Sequence, residues 1–285
     1  MKPLDYNQSE HEIQWCPGCG DFGILLAAKN AYANLGLKPE NIVMVSGIGC
    51  SGKIPHYVKT YGFEGLHGRA LPPAQAIKLV NNELEVVVFA GDGDGYGIGM
   101  GHFIHSMRRN MDMLYVVHNN QVYGLTKGQA SPTTEVGAKT SSTPKGVIEA
   151  PINPLLLALS SNATWIGRGF AGDIKHLTSL IEQGIAHKGF ALLDVFQPCV
   201  TYNKINTFQF FQQRVYKLEE EKAYDPTNKL MAFERMQEWG EKIPIGVLYK
   251  EDRPTYEDQL PQLASGPLIK QNPKRDISEL LKAFA

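Results

Sequence analysis

Residues 85–134 read EVVVFAGDGDGYGIGMGHFIHSMRRNMDMLYVVHNNQVYGLTKGQASPTT, and this stretch decides the fold. The apolar run at 85–90 is typical of a parallel strand that is covered on both faces. A glycine-rich turn, helical spacing over 98–109 and a second apolar strand at 113–118 follow it. This order predicts an α/β fold with a mostly parallel sheet that is flanked by helices.

Polar residues follow both strands of this unit. Asp92 comes after the first strand, and Asn120 comes after the second, 28 residues later. A βαβ crossover brings the carboxyl ends of its strands together, so Asp92 and Asn120 are expected to share one Mg²⁺ ion. The alternative is a tight turn followed by a strand-terminating asparagine pair. An EF-hand is excluded because Phe103 stands where that motif needs a bidentate glutamate.

The GDG and NN pair is similar to the thiamine diphosphate motif shared by transketolase, pyruvate decarboxylase and their relatives. The resemblance implies that Mg²⁺ is held by Asp92, Asn120 and the backbone carbonyl of Val122. It also implies that the diphosphate lies on Gly91 and Gly93, at the start of the following helix.

The composition excludes several classes of protein. The chain has 285 residues, 43% of them hydrophobic, and a net charge of −1. It is long enough for one large α/β domain with an extension, and its charge gives no sign of nucleic-acid or membrane-surface binding. We find no membrane-spanning run and no signal peptide, and therefore expect a cytoplasmic protein.

Four cysteines form the second set of candidate ligands: Cys16 and Cys19 in WCPGC, Cys50 in GIGCSG, and Cys199 after a strand. Four thiolates suit either a [4Fe–4S] cluster or a structural zinc ion. Zinc ribbons usually have two CxxC pairs, whereas this chain has one. A thioredoxin site is not expected, because no convincing strand precedes Cys16.

Two further segments carry candidate residues. Residues 47–52 match GxGxxG, but Pro55 and the lack of a suitably placed acidic residue argue against a dinucleotide site. These glycines are instead expected to present Cys50 and Lys53 at the sheet edge. His67 and Arg69 in LHGRALPP are open to two interpretations, surface residues or ligands of a phosphate or carboxylate.

The remaining chain continues the alternation of helices and strands. The 124–144 loop is long enough to be a lid. Residues 1–199 are predicted to form the diphosphate and magnesium domain, and 200–285 an extension that packs over it or over a partner subunit. Counting the two central strands, about five are expected, with further helices at 22–35, 74–82, 154–161 and 174–187 and strands at 41–46, 164–169 and 191–196.

Most of the chain resembles the β subunit of 2-oxoacid:ferredoxin oxidoreductases, through WCPGCGDFG, GIGCSGK, LHGRALP, GDGD with NN, and YGLTKGQASPT. The resemblance implies that the four cysteines hold a [4Fe–4S] cluster. It associates Lys53 with the substrate carboxylate and Leu125 with the active-site pocket, where His67 and Arg69 are also catalytic candidates. The expected cofactor contacts are Gly49, Cys50, Ser51, His67, Gly91, Asp92, Gly93, Asp94, Asn120, Val122, Gly124 and Leu125.

In such an enzyme the pyrimidine-binding domain belongs to an α subunit, so this chain alone is expected to be inactive. CoA is the expected co-substrate, ferredoxin the electron acceptor, and αβ or (αβ)₂ the assembly. We favour 2-oxoglutarate because YGLTKGQ, INTFQFFQQRVY and IPIGVLY look like that branch of the family, and because Lys53 or Lys127 suits a distal carboxylate. The alternatives are pyruvate or a broad range of 2-oxoacids, a non-redox thiamine diphosphate enzyme with zinc, and an electron-transfer subunit without thiamine.

Overall fold

The part of the chain that the structure describes contains eight strands: β1 (Ile42–Ser46), β2 (Tyr61–Glu64), β3 (Glu85–Gly91), β4 (Met113–Asn119), β5 (Trp165–Phe170), β6 (Phe190–Phe196), β7 (Val215–Lys217) and β8 (Ile243–Lys250). They form one sheet in the order β2-β1-β3-β4-β6-β5-β8-β7. The computed structural model describes residues 1–8, 10–272 and 276–284. The six neighbouring strands β2, β1, β3, β4, β6 and β5 run parallel to one another. Strand β8 pairs antiparallel with β5. The predicted mostly parallel sheet is therefore confirmed.

Helices cover both faces of the sheet. The helices of the described residues are α1 (Asp21–Asn34), α2 (Leu71–Val80), α3 (Met100–Arg109), α4 (Pro154–Ser160), α5 (Ile174–Ala186), α6 (Phe208–Gln212), α7 (Lys229–Met236) and α8 (Ser278–Lys282). The helices α1 and α5 pack together on one face, while α2, α3, α4 and α7 lie over the other. No helix within the described ranges is long and apolar enough to cross a membrane.

The central strands β3 and β4 explain why the sheet forms where the sequence places it. Alternate side chains of these strands enter opposite cores, so Val88 and Tyr115 lie in one core and Phe89 and Val116 in the other. A strand that is buried on both faces needs an unbroken apolar sequence. Removing this apolar surface from water stabilises the fold by roughly 25 cal/mol per Å².

The turn after β3 differs from the predicted helix at 98–109. A π-helical segment, Gly93–Ile98, comes first, and α3 begins only at Met100. Glycine is required within this segment, since a Cβ at Gly95 would lie 2.1 Å from the Tyr115 hydroxyl. Closely packed glycines therefore produce the wider π turn, which hydrophobic spacing alone does not reveal.

Three strands and a second helix start were also not predicted correctly. The prediction of about five strands omitted β2, β7 and β8. The edge strand β2 is short and exposed along its length, so it lacks the apolar signal of the central strands. Helix α2 begins at Leu71, three residues before the predicted start, because proline is well tolerated in the first turn of a helix.

Residues after 200 contribute β7 and β8 to the same sheet as the central strands. The side chains of Ile243 and Ile245 on β8 are buried in an aromatic cluster with Phe170, Phe196 and Phe211. The C-terminal part thus packs directly against β5 and β6. The division of the chain at residue 199 stays a prediction.

The strand register sets the relative positions of the residues that follow the strands. Gly91 at the end of β3 pairs with His118, and Asn119 at the end of β4 pairs with Phe196 at the end of β6. The polar residues that come next on these chains therefore emerge side by side at the carboxyl edge of the sheet.

Candidate active site

A cavity of about 370 Å³ opens at the carboxyl edge of the sheet. It lies at the ends of the neighbouring strands β1 and β3. From β1 the chain continues to β2 on one side of β1, and it then returns to β3 on the other side. Ligands of open α/β sheets bind at such a point. The lining includes all twelve residues that were expected to contact the cofactor, together with Ile48, Tyr123, Thr126 and Gln129.

Asp92 is buried at the floor of this cavity, where its side chain is held by two hydroxyl groups. Ser131 Oγ donates to Asp92 Oδ2 over 2.5 Å, and Thr133 Oγ1 donates to the same oxygen over 2.6 Å. Burial raises the pKa of Asp92 to about 6, and these two hydrogen bonds oppose the rise. The carboxylate is thus fixed in direction, and a bound cation would offset the cost of burying its charge.

Asn120 lies beside Asp92 in the cavity wall, and its amide is oriented by two neighbours. Its Nδ2 donates to Gln197 Oε1 over 2.8 Å, while its Oδ1 accepts from the backbone N–H of Val122 over 3.1 Å. Asp92, Asn120 and Val122 all line the cavity. A carboxylate oxygen, an amide oxygen and a backbone carbonyl are the donor types that Mg²⁺ prefers.

Asp94, which also lines the cavity, holds the backbone of two neighbouring loops. Its Oδ1 accepts from the N–H of Gly68 over 2.7 Å and from that of Ile48 over 3.1 Å, and His67 Nδ1 lies 2.9 Å away. Burial raises the pKa of Asp94, while these N–H groups and His67 oppose the rise. Asp94 thus joins the loops that follow β1 and β2 to the turn after β3, rather than facing a cation.

Other cavity residues fit a diphosphate. The hydroxyl of Ser51 is buried and has no hydrogen-bond partner among the residues described. It faces Gly91, where an added Cβ would lie 3.4 Å from Ser51 Oγ. A buried hydroxyl without a partner is costly, and a phosphate oxygen would satisfy it. Glycine at this position leaves room for the ligand to approach the backbone.

The four cysteines come from three separate loops, and all four are free thiols. Cys50 and Cys199 both approach Gly124, where an added Cβ would lie 3.7 and 3.6 Å from their sulfurs. Cys19 Sγ lies 3.2 Å from Asp21 Oδ2 and accepts from Gln197 Nε2 over 3.1 Å. Cys50 and Cys199 therefore lie against Gly124, which lines the cavity, and Cys19 contacts Gln197.

The negative charges of ionised cysteines would repel one another at these short distances. Burial, together with the nearby Asp21, Cys199 and Cys16, raises the pKa of Cys50 to about 12, and Lys53 opposes the rise. Burial and Asp21 raise the pKa of Cys19 as well. A positively charged group among the sulfurs would reverse this effect and hold them as thiolates.

Within the described residues, no three His, Cys, Asp or Glu side chains converge as the ligands of a single metal ion. A structural zinc ion needs its sulfurs about 2.3 Å from one centre. A [4Fe–4S] cluster instead gives each cysteine its own iron atom, so the sulfurs stand farther apart. A cluster therefore does not require the four sulfurs to share one centre.

Two of the candidate catalytic residues lie outside the cavity. Lys53 Nζ is 3.4 Å from Gln14 Oε1 and faces a neighbouring depression near His56 and Glu64. Arg69 Nη1 lies 3.0 Å from His102 Nε2 at the surface. The structure does bring the other two candidates, His67 and Leu125, into the cavity lining.

The long loop contributes site residues that the sequence analysis missed. Ser131 and Thr133 are buried against Asp92, and Tyr123, just before this loop, donates from its hydroxyl to the carbonyl of Gly93 over 3.0 Å. The inner part of the predicted lid is therefore a fixed wall. The available signal was SPTT, a run of hydroxyl residues in a loop that follows two asparagines.

Two family descriptions match the chain. Residues 14–195 match the C-terminal TPP-binding domain of thiamine pyrophosphate enzymes, and residues 199–265 match the C-terminal part of the pyruvate ferredoxin oxidoreductase beta chain. The first match covers β1 to β5, nearly all of β6, the loops that line the cavity and three of the four cysteines. The second begins at Cys199, close to the predicted domain boundary.

Individual relatives agree with these families. A 2-oxoacid:ferredoxin oxidoreductase subunit beta of Saccharolobus solfataricus is 50% identical over 277 residues, 93% of this chain and 90% of the relative. A 2-oxoglutarate oxidoreductase subunit KorB of Mycobacterium tuberculosis is 47% identical over 195 residues, 68% of this chain and 52% of the relative.

A solved structure supports the same assignment. It is a 2-oxoglutarate:ferredoxin oxidoreductase of Magnetococcus marinus with 2-oxoglutarate, coenzyme A and succinyl-CoA bound. This chain superposes on it with a TM-score of 0.93 and 39% identity, covering 100% of this chain and 96% of the other. The chain belongs to the family of β subunits of thiamine diphosphate-dependent 2-oxoacid:ferredoxin oxidoreductases.

Proposed function

We propose that the cavity holds thiamine diphosphate through Mg²⁺ and that the four cysteines hold a [4Fe–4S] cluster. Together with an α subunit, in an αβ or (αβ)₂ assembly, the chain oxidatively decarboxylates 2-oxoglutarate. Each turnover consumes one 2-oxoglutarate, one CoA and two oxidised ferredoxins. It forms succinyl-CoA, CO₂, two reduced ferredoxins and one proton, and the reaction is reversible in principle.

The observation that carries this proposal is the short distance between the cavity and the cysteine sulfurs, which only Gly124 separates at this point. Gly124 lines the cavity, and a Cβ on it would touch the sulfurs of both Cys50 and Cys199. Two of the proposed cluster ligands thus lie within van der Waals distance of the cavity wall, close to where the electrons are released. A substituted side chain at Gly124 would thicken this wall.

The chain's own residues bind and orient. Asp92, Asn120 and the carbonyl of Val122 would supply the oxygen ligands of Mg²⁺, and Ser51 and the glycine turn would contact the diphosphate. When bound, thiamine diphosphate supplies a carbon that accepts the electrons left by loss of CO₂. Ser131 and Thr133 fix the carboxylate of Asp92, so that little reorganisation is needed when the cation enters.

The names of the relatives and the charge near the cavity support the choice of 2-oxoglutarate. KorB relatives and the Magnetococcus marinus enzyme are named for 2-oxoglutarate, whereas the Saccharolobus solfataricus protein is named for 2-oxoacids in general. 2-Oxoglutarate has a distal carboxylate, and the exposed Lys127 lies two residues from Leu125 in the cavity wall. Lys53 was the other candidate for this role and lies outside the cavity. Pyruvate or a broad range of 2-oxoacids is the alternative.

Turnover of the purified αβ complex tests the proposal. With CoA and ferredoxin present, we expect ferredoxin reduction to be faster with 2-oxoglutarate than with pyruvate, and succinyl-CoA to form. Equal or faster turnover of pyruvate would reject the choice of substrate. Absence of ferredoxin reduction with every 2-oxoacid would reject the reaction itself.

A further inference from the structure

Gln197 connects the two candidate metal sites. It follows β6 directly and is 1% exposed. Its Oε1 accepts from Asn120 Nδ2 over 2.8 Å, and its Nε2 donates to Cys19 Sγ over 3.1 Å. One side chain therefore contacts both a candidate Mg²⁺ ligand and a candidate cluster ligand.

These two contacts fix the direction of each amide. Because the sulfur of Cys19 is an acceptor, the NH₂ group of Gln197 must face it, and the carbonyl of Gln197 then faces Asn120. Asn120 must in turn direct its own NH₂ group toward Gln197. Its carbonyl oxygen is consequently left on the side of Val122, where a cation would need it.

The surrounding backbone is built to hold Gln197 in this position. The N–H of Gln197 donates to the carbonyl of Asn119 over 3.0 Å, and the N–H of Gly20 donates to that of Pro198 over 3.2 Å. A Cβ at Gly20 would lie 3.0 Å from Cγ of Gln197 and from the nitrogen of Pro198. Glycine after Cys19 thus permits the cysteine loop to pack against this residue.

We propose that Gln197 is a positioning residue that orients Asn120 toward Mg²⁺ and tunes the reduction potential of the cluster through Cys19. A hydrogen bond to a cluster sulfur draws electron density from it and stabilises the reduced, more negative state. The donor from Gln197 therefore raises the cluster potential. Through the same side chain, the orientation of Asn120 depends on the contact with Cys19.

This inference rests on the proposed cofactors, and its test uses the anaerobically purified αβ complex. Gln197→Met keeps the size of the side chain and removes both polar contacts, whereas Gln197→Glu keeps an acceptor for Asn120 and removes the donor to Cys19. Gln183→Met, on the exposed face of α5, is the matched control. The readouts are the cluster potential, from a redox titration followed by electron paramagnetic resonance, and the Kd of Mg²⁺-thiamine diphosphate.

We expect the equilibrium constant for reduction of the cluster to fall about tenfold in Gln197→Met. This corresponds to a reduction potential that is about 59 mV lower for one electron. The Kd for Mg²⁺-thiamine diphosphate should rise about tenfold in the same variant. Gln197→Glu should lower the potential at least as far while leaving the Kd within about twofold of wild type. Gln183→Met should change neither quantity.

An unchanged potential in Gln197→Met, with the cluster intact, would overturn the inference. Loss of the cluster from both variants in folded protein would overturn it too, because Gln197 is assigned no role in holding iron. If Gln197→Met alone loses the cluster, the cluster potential of Gln197→Glu tests the inference. A lowered potential supports it, and an unchanged potential overturns it. Absence of a cluster from the wild-type complex would instead reject the proposed function.

Discussion

Thr133 Oγ1 lies 2.6 Å from Asp92 Oδ2 and joins the long loop to the turn after β3. Thr133→Val preserves the shape of the side chain but removes this hydrogen bond. Loss of a group that orients a metal ligand typically costs 10–100-fold in metal affinity, so we expect about that rise in the Kd of Mg²⁺-thiamine diphosphate. Calorimetric titration measures it. Thr133→Ser keeps the hydroxyl and should bind within a few-fold of wild type, whereas equal losses in both variants would contradict the role of the hydroxyl.

The carboxylate itself should be essential for retention of the cofactor. Asp92→Asn removes the negative charge that binds Mg²⁺, and we expect the purified complex to retain no thiamine diphosphate. Mass spectrometry of the ligand released by acid measures this directly. Asp252→Asn makes the same change at an exposed position and should retain the cofactor fully. Full affinity in Asp92→Asn would defeat the magnesium assignment.

The two cofactor sites should be separable by mutation. Cys199→Ser removes one cluster ligand, and we expect the broad visible absorption of the anaerobic complex to be lost or strongly reduced while thiamine diphosphate is retained. Asp92→Asn should show the converse pattern, with the chromophore present and the cofactor absent. A Cys199→Ser complex with the visible spectrum of wild type would remove Cys199 from the cluster.

The sequence was sufficient where a residue's role follows from its place on a strand. The apolar runs of β3 and β4 are buried on both faces, and that pattern places Asp92 and Asn120 at one edge of the sheet. The spacing of residues along β4 and β6 likewise anticipates that Cys199 lies at a strand end. These positions depend on local pattern and on the rule that parallel strands end together.

The sequence alone did not reveal the contacts between segments that are distant along the chain. Ser131 and Thr133 reach Asp92 from about 40 residues away, through a loop without periodicity. Gln197 contacts Cys19 across 178 residues. Lys53 was placed near the substrate because it follows Cys50, but the helical turn at Ser51–Tyr57 directs it toward Gln14 instead. Only the tertiary fold determines which loop meets which.

Close packing around Asp94 makes one glycine irreplaceable. A Cβ at Gly47 would lie 1.8 Å from Asp94 Oδ2, so Gly47→Ala must displace a buried carboxylate that holds two loops. We expect a loss of about 2–4 kcal/mol in the free energy of unfolding, measured by urea denaturation of the purified chain.

Gly101→Ala is the matched control for Gly47→Ala. Gly101 lies on the exposed face of α3, and an added Cβ there has no atom within 4 Å. Alanine is the better helix former, so we expect this variant to gain about 0.5–1 kcal/mol. Equal stability of the two alanine variants would contradict the packing argument.

The start of α5 should show a pH-dependent contribution from Asp173. Its carboxylate accepts from the N–H of His176 over 3.1 Å and lies 2.8 Å from Lys217 Nζ. Partial burial raises the pKa of Asp173, but Lys217 and the His176 N–H outweigh it, so the pKa is lowered overall. A lowered pKa stabilises the fold above the unfolded-state pKa, and this stability is lost as the pH falls through the folded-state value.

We therefore expect Asp173→Ala to lose about 1 kcal/mol in the free energy of unfolding at pH 7. The difference from wild type should shrink as the pH is lowered below the ordinary aspartate pKa. Urea denaturation at several pH values measures both effects. Asp173→Asn keeps an N-cap acceptor and should cost less. A difference that stays constant down to pH 3 would contradict the assignment.

The central claim is that 2-oxoacid oxidation in the cavity feeds electrons to iron held by the four cysteines. Electron paramagnetic resonance of the anaerobic αβ complex, frozen after mixing with 2-oxoglutarate and CoA, tests it most directly. The account predicts that a reduced [4Fe–4S] signal appears with substrate and is absent from the Asp92→Asn complex. A wild-type complex with no substrate-dependent iron–sulfur signal, or an equal signal in Asp92→Asn, would contradict it.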